Sequence, residues 1–338
     1  MISNKDNYFP SLTGFRAIAA WLVFANHYNL FAADRFPFLN ALVDELGIGV
    51  SMFFVLSGFL ITIRYDDPLL PKPTFSQYMR NRFARIYPLY FLLTTITFIV
   101  TGGWGWVYVA NITFIKGFVD ELKFTGIAQG WSLTVEETFY LLAPLIFIMI
   151  RRSRLMTWLL PFIFLMIGYI IFDSLHFMLV YTFFGRCFEF FIGIALAKIF
   201  QGNKTAINNR QLFTWIGIVG ILVFLLVLVY TRDEMPELLI RQLLVPAATA
   251  LLLWGLLTER SWIRKLLSTN VMQLLGKSSY AFYLIHIGVL AVWLSDNVTW
   301  NPVVLFVILN VIAIGIYYLI ERPLRKVLLT ESAENTEG

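Results

Sequence analysis

The sequence is short of the residues on which most soluble chemistry is built. Cysteine occurs once, at Cys187, so an internal disulfide and a thiolate metal cluster are both excluded. Histidine occurs three times, at His27, His176 and His286, too sparsely for a metal centre, and no metal is expected. Charge is scarce as well. Asp, Glu, Lys and Arg make up 14% of the 338 residues, against roughly 25% in a soluble domain. So few charges cannot cover a water-facing surface, which excludes a soluble globule, a disordered chain and a coiled coil. The strict alternation of a membrane β-barrel is missing, as are span-sized repeats and low-complexity tracts.

What the sequence has instead is long apolar runs; 59% of it is hydrophobic. A helix needs about 20 mainly apolar residues to cross a hydrocarbon core of ~30 Å. Segments 12–31, 47–64, 83–101, 133–150, 157–172, 178–198, 212–230, 239–257, 271–294 and 302–321 meet that description. The expected fold is all-α, a polytopic membrane helical bundle of about ten transmembrane helices. Residues 1–11 read as an N-terminal segment, 12–327 as one membrane domain and 328–338 as a polar, acidic tail that frays. The first apolar run is long enough to stay as a span rather than serve as a cleaved signal. The stretch 102–130, rich in Gly and Trp, is expected to lie at the membrane interface or to fold back into the bundle.

The net charge of +5 would suit nucleic acid if it formed one patch. It does not; the basic residues fall in alternate loops, and no nucleic-acid partner is expected. With the N-terminus inside, inside segments carry 19 Lys and Arg and outside segments 5, with Arg16 and Arg186 within spans. That asymmetry predicts ten spans with both termini cytoplasmic, in a lipid bilayer.

Ionisable residues inside spans are costly, so each needs a partner or a purpose. Arg16 and His27 share the first segment. Eleven residues make three helical turns plus roughly 20° and a rise of about 16 Å, so both side chains leave one face. They read either as a polar stripe lining half the membrane, or as a snorkelling arginine and a hydrogen-bonded histidine. Glu136 and Glu137 open the fourth segment. They read as first-turn acids that suit the helix dipole, or as a carboxylate at the depth of His27 that orients the imidazole. Arg186 and Glu189, spaced i,i+3, are expected to form a structural ion pair. His286, near Tyr280 and Tyr283, reads first as a packing residue. Arg82 and Arg85, with Arg80, form a basic edge at the inner mouth of the third segment, as anchors or as ligands for a phosphorylated cytosolic molecule.

These residues also fall into a known pattern. The chain resembles acyltransferase family 3, integral membrane O-acyltransferases similar to bacterial polysaccharide O-acetyltransferases. The resemblance rests on Arg16 and His27 in LTGFRAIAAWLVFANH, Ser57 and Gly58 in FFVLSGFL, and Arg82, Arg85 and Pro88 in RFARIYPLY. It continues with Trp131, Ser132, Glu136 and Tyr140 in WSLTVEETFY, and Arg186, Glu189 and Gly193 in GRCFEFFIG. Ser279, Tyr280, Tyr283 and His286 in SYAFYLIH and Glu321 and Pro323 in ERPLRK complete it. Each motif is weak alone; in order along 12–326 they are specific.

The resemblance implies an acyl-CoA donor, acetyl-CoA by default, with no permanently bound cofactor. The acceptor it implies is a hydroxyl of a cell-surface glycan or its lipid-linked precursor, at the bacterial inner membrane. On that reading the catalytic residues are His27 as general base, Glu136 as its orienting carboxylate, and Arg16; Arg16, Arg82 and Arg85 bind the donor. Ser57, Tyr140, Tyr283 and His286 are oxyanion or substrate candidates. Some members carry an added extracytoplasmic hydrolase-like domain; without one, transfer is expected to be direct or through a separate extracytoplasmic transferase. The competing reading is a transporter or flippase of glycan intermediates, since buried Arg, Glu and His also mark transport paths. A structural partner of a glycan-export complex is the third.

Overall fold

The computed structural model describes residues 8–67, 73–202, 208–231 and 233–334. Residues 1–7 of the N-terminal segment, with Lys5, lie outside the described residues, as do Lys72, Lys204, Arg232 and the last four residues of the tail. In chain order the helices are α1 (Pro10–His27), α2 (Pro37–Asp44), α3 (Gly49–Tyr65), α4 (Phe75–Thr101), α5 (Trp106–Ile112) and α6 (Trp131–Arg152). There follow α7 (Met156–Ile171), α8 (Leu175–Tyr181), α9 (Phe183–Gly202), α10 (Leu212–Tyr230), α11 (Glu234–Leu239) and α12 (Val245–Thr258). The last are α13 (Trp262–Leu267), α14 (Asn270–Ile285), α15 (Val289–Asn297), α16 (Pro302–Ile316) and α17 (Arg322–Glu334). No strand occurs among the described residues, so the all-helical class holds.

Among the described residues, seven stretches are long and apolar enough to cross a membrane: Pro37–Tyr65, Phe75–Thr101, Ala128–Arg152, Leu175–Gly202, Leu212–Tyr230, Glu234–Thr258 and Pro302–Leu329. An eighth is the pair α14 and α15, bent by 84°. Segment 271–294 was expected to run straight. It breaks because Gly288 adopts φ +108, a conformation that a residue with a Cβ reaches only under strain. α7 is apolar but has 16 residues. α1 stops at His27 rather than continuing to residue 31, and its polar residues keep it out of the apolar set.

Local chemistry sets the helix ends. Thr74 and Gln77 form a reciprocal capping box, with the Gln77 amide to Thr74 Oγ1 at 3.2 Å and the Thr74 amide to Gln77 Oε1 at 3.0 Å. α4 therefore starts at Phe75, two turns before the apolar run that first betrays it. Pro302 opens α16 beneath the Asn301 cap. The tail is helical as far as Glu334, where fraying was expected from Thr330 onward.

The chain divides into two compact units. The first comprises Met1–Lys72, Leu145–Val180 and Phe184–Lys277; the second comprises Pro73–Pro144, Tyr181–Phe183 and Ser278–Gly338. In the first unit helices approach through glycine. A Cβ on Gly58 would lie 2.1 Å from the Phe190 carbonyl oxygen, and one on Gly193 2.1 Å from that of Val55. α3 and α9 thus touch backbone to backbone. α10 and α12 do the same through Gly217 and Gly255. Two of the motif residues, Gly58 and Gly193, are accounted for by this contact.

Candidate active site

In the first unit, α1 carries Arg16 and His27. Arg16 is half-buried, with its guanidinium 5.8 Å from the centre of the Phe53 ring. His27 is the final residue of the helix and is exposed. The imidazole therefore sits at the open end of α1 rather than inside a longer span. Ser57, on α3, is buried. Deeper in the same unit Arg186 binds Glu189 through two parallel contacts, Nε to Oε2 and Nη2 to Oε1, both 2.9 Å. Its Nη2 also donates to Ser51 at 3.1 Å. Both residues are buried, and their polar atoms are spent on each other and on α3.

The second unit brings the remaining residues together. Pro144 interrupts α6 and has no N–H to give the carbonyl of Tyr140. The hydroxyl of Tyr78 donates to that carbonyl at 2.8 Å and ties α4 to α6. The Arg82 guanidinium lies 5.5 Å from the centre of the Tyr140 ring, and the Tyr140 hydroxyl donates to Glu136. Arg85 and Arg82 both act electrostatically on Tyr140, and Arg82 on Glu137. Tyr280 donates to the Ile86 carbonyl at 2.8 Å and feels Glu321, Glu137 and Glu136. Glu321 itself closes a π-helical turn, Tyr317–Glu321, a widened turn that often marks a functional position.

One placement corrects the sequence reading. Arg82 was expected on a rim at the inner mouth of the third segment. It is buried, at 4% exposure, two turns into α4 with its guanidinium against the Tyr140 ring. Arg85 is half-buried.

A second cluster surrounds the break after α14. Tyr283 and Ser132 share a hydroxyl–hydroxyl bond of 2.7 Å. His286 is fully buried, with Nδ1 2.7 Å from the Tyr283 carbonyl oxygen and its ring stacked on Phe282. Two residues that the sequence did not single out are buried here, and one of them, Gln129, holds this turn. The side-chain amide of Gln129 donates to the carbonyls of Tyr283 and Leu284, both at 2.9 Å, and of Ile287 at 3.3 Å. These are the carbonyls that a broken helix leaves without partners. Lys116 is fully buried and donates to the carbonyls of Thr125 at 2.7 Å and Ile127 at 2.6 Å. Burial pushes its amine down to about 7. A Cβ on Gly130 would meet Lys116 Nζ at 3.1 Å, so the glycine makes room for the ammonium group. The one sequence cue was a lysine inside an aromatic, otherwise apolar stretch.

An all-helical, span-rich chain with carboxylate, guanidinium, phenol and imidazole groups gathered inside it is built for polar chemistry in an apolar setting. Residues 9–322 match the family model described as "Acyltransferase domain", and the chain belongs to that family. Among curated proteins it is 27% identical to "Putative peptidoglycan O-acetyltransferase YrhL" of Bacillus subtilis (strain 168), over 96% of this chain and 56% of that one. It is 24% identical to "Peptidoglycan O-acetyltransferase OatA" of Listeria monocytogenes, over 94% of this chain and 56% of that one. The chain thus spans little more than half the length of these relatives. No solved structure gives a significant match.

Proposed function

We propose that this chain is a membrane O-acyltransferase domain that moves an acyl group, acetyl by default, from cytoplasmic acyl-CoA to a hydroxyl of a cell-surface glycan or its lipid-linked precursor. The carrying observation is the group of buried Arg82 and Tyr140 with half-buried Glu136, a charged cluster in an apolar bundle of an acyltransferase family. The relatives named for peptidoglycan O-acetylation support a glycan acceptor. In this reading the protein is multi-pass in the bacterial inner membrane, with both termini cytoplasmic, as the Lys and Arg asymmetry predicts.

His27 takes the proton of the acceptor hydroxyl. The oxygen attacks the thioester carbonyl, an oxyanion forms, and the CoA thiolate leaves and takes up a proton. The exposed end of α1 suits this role, since an acceptor has to reach the imidazole. Glu136, fixed by Tyr140, is the second catalytic group. Arg82, Arg85 and Arg16 bind donor phosphates, and the buried Arg82 also lies against the Tyr140 ring. Tyr283, Ser57 and His286 are the candidates for oxyanion donors.

The test is transfer of label from acetyl-CoA to glycan in membranes holding the wild-type protein or His27→Ala. The expected outcome is transfer by the wild type and none by folded His27→Ala. A purified His27→Ala that acetylates at the wild-type rate would falsify the role of His27. The broken α14–α15 pair also suits a transporter, where discontinuous helices line the substrate path. Movement of glycan without transfer of label would favour that reading.

A further inference from the structure

The segment between α4 and α6 has its polarity turned inside out. Lys116 and Asn111 are fully buried. Trp104, Trp106, Val109, Ile115, Phe118 and Phe124 are exposed, the two tryptophans at 55% and 60%. Glu121 is the one charged residue of 102–127 that is exposed. A loop folded against water would turn its ammonium outward and its indoles inward.

We propose that residues 102–127 form a lipid-contacting surface seated in the interfacial layer of the bilayer, with Trp104, Trp106, Val109, Ile115 and Phe118 against lipid. Three observations carry this. First, the surface continues the exposed apolar face of α4: Ile96, Ile99 and Val100 lead into Trp104 and Trp106, interrupted only by Thr101 and small or glycine positions. Second, the exposed threonines turn their hydroxyls back on the helix. Thr101 donates to the Thr97 carbonyl at 2.8 Å and Thr113 to that of Val109 at 2.7 Å. Neither needs water. Third, tryptophan at a span end is the side chain whose amphipathic ring fits the headgroup level. A protein partner would meet a polar rim around an apolar centre. Here the charges, the Asp120–Lys123 ion pair and Glu121, gather at one end, as they would where the segment leaves lipid for water.

The seat matters to the site. The interior of the segment ends in Lys116, bound to the carbonyls of Thr125 and Ile127, and Gln129 follows directly with its grip on the α14 break. Lipid on the outer side and the Tyr283–His286 turn on the inner side are therefore joined by one short run of backbone.

The single native cysteine, Cys187, is buried, so introduced cysteines can report separately. Trp106→Cys, Val109→Cys, Phe118→Cys and Glu121→Cys are made in the full chain. They are labelled with an impermeant maleimide from the membrane side that labels Glu121→Cys. Positions 106, 109 and 118 are expected to react about tenfold more slowly than 121, which is about 1.4 kcal/mol of protection. The same cysteines carrying bimane are expected to be quenched in vesicles of lipids brominated on the acyl chain, with position 121 unquenched. Labelling as fast as at 121 would overturn the proposal. Slow labelling without quenching by brominated lipid would also overturn it, since protein rather than lipid would then cover the surface. Val109→Cys changes volume least and keeps the test open if the larger replacements fail to fold.

Discussion

Both units bury carboxylates, but they treat them differently. In the first unit each is committed to fixed donors. Glu189 has Arg186, and Asp66 has Arg151 and Lys198. Glu259 accepts from the amides of Phe213 at 2.8 Å and Thr214 at 2.9 Å and from the Thr214 hydroxyl at 2.6 Å. It thereby caps α10, where Gln211 at the cap position makes no side-chain bond. In the second unit Glu136 accepts from the Tyr140 hydroxyl. One buried oxygen each of Glu137, Glu189 and Asp66 has no hydrogen-bond partner, those of Glu189 and Asp66 facing Arg186 and Lys198 instead. A carboxylate that is ion-paired or caps a helix serves the fold; one bonded to a phenol is the candidate for chemistry. The contrast separates residues that hold the bundle from residues available for chemistry.

Several substitutions test that contrast. The largest effect is expected for Glu136→Gln, a loss of about 10²–10⁴ in acyl transfer with the thermal melt of the purified protein preserved. If instead the rate survives and the melt collapses, Glu136 belongs with Glu189. Next comes Arg186→Ala or Glu189→Ala. Each leaves a buried charge unpaired and should cost about 3–5 kcal/mol of stability, whereas Arg186→Met with Glu189→Leu should restore most of it. Glu259→Leu should cost about 1–3 kcal/mol for each buried donor it strands, read as a lower unfolding temperature. The last test is a pH profile and concerns Lys116. Its amine falls from the ordinary 10.5 to about 7 in the fold. The unfolded chain binds the extra proton between those values, so stability should rise as pH climbs from about 7 to about 10. Lys116→Met should flatten that rise; an unchanged slope would place its cause elsewhere.

Much of the fold could be read from the sequence, because lipid demands what hydropathy measures. Segment 212–230 coincides with α10, since nothing but apolar length defines it. The Arg186–Glu189 contact follows from i,i+3 spacing alone. The failures share a cause too: each depended on a short polar signal inside or beside an apolar run. The capping box at Thr74 moved the start of α4 ahead of its apolar run. Gly288 broke a segment whose hydropathy looked continuous. Gln129 gave no cue, because its role lies in carbonyls more than 150 positions along the chain. Spacing could place Arg16 and His27 on one face of α1, but not show that the helix stops at the imidazole.

The stop in α14 has an electrical consequence. A helix that ends inside the second unit brings about half a negative charge to its final carbonyls. Gln129 satisfies their lone pairs but, being a neutral amide, leaves that bias in place. The end of α14 therefore sets a negative bias on the carbonyl side of the turn that carries His286.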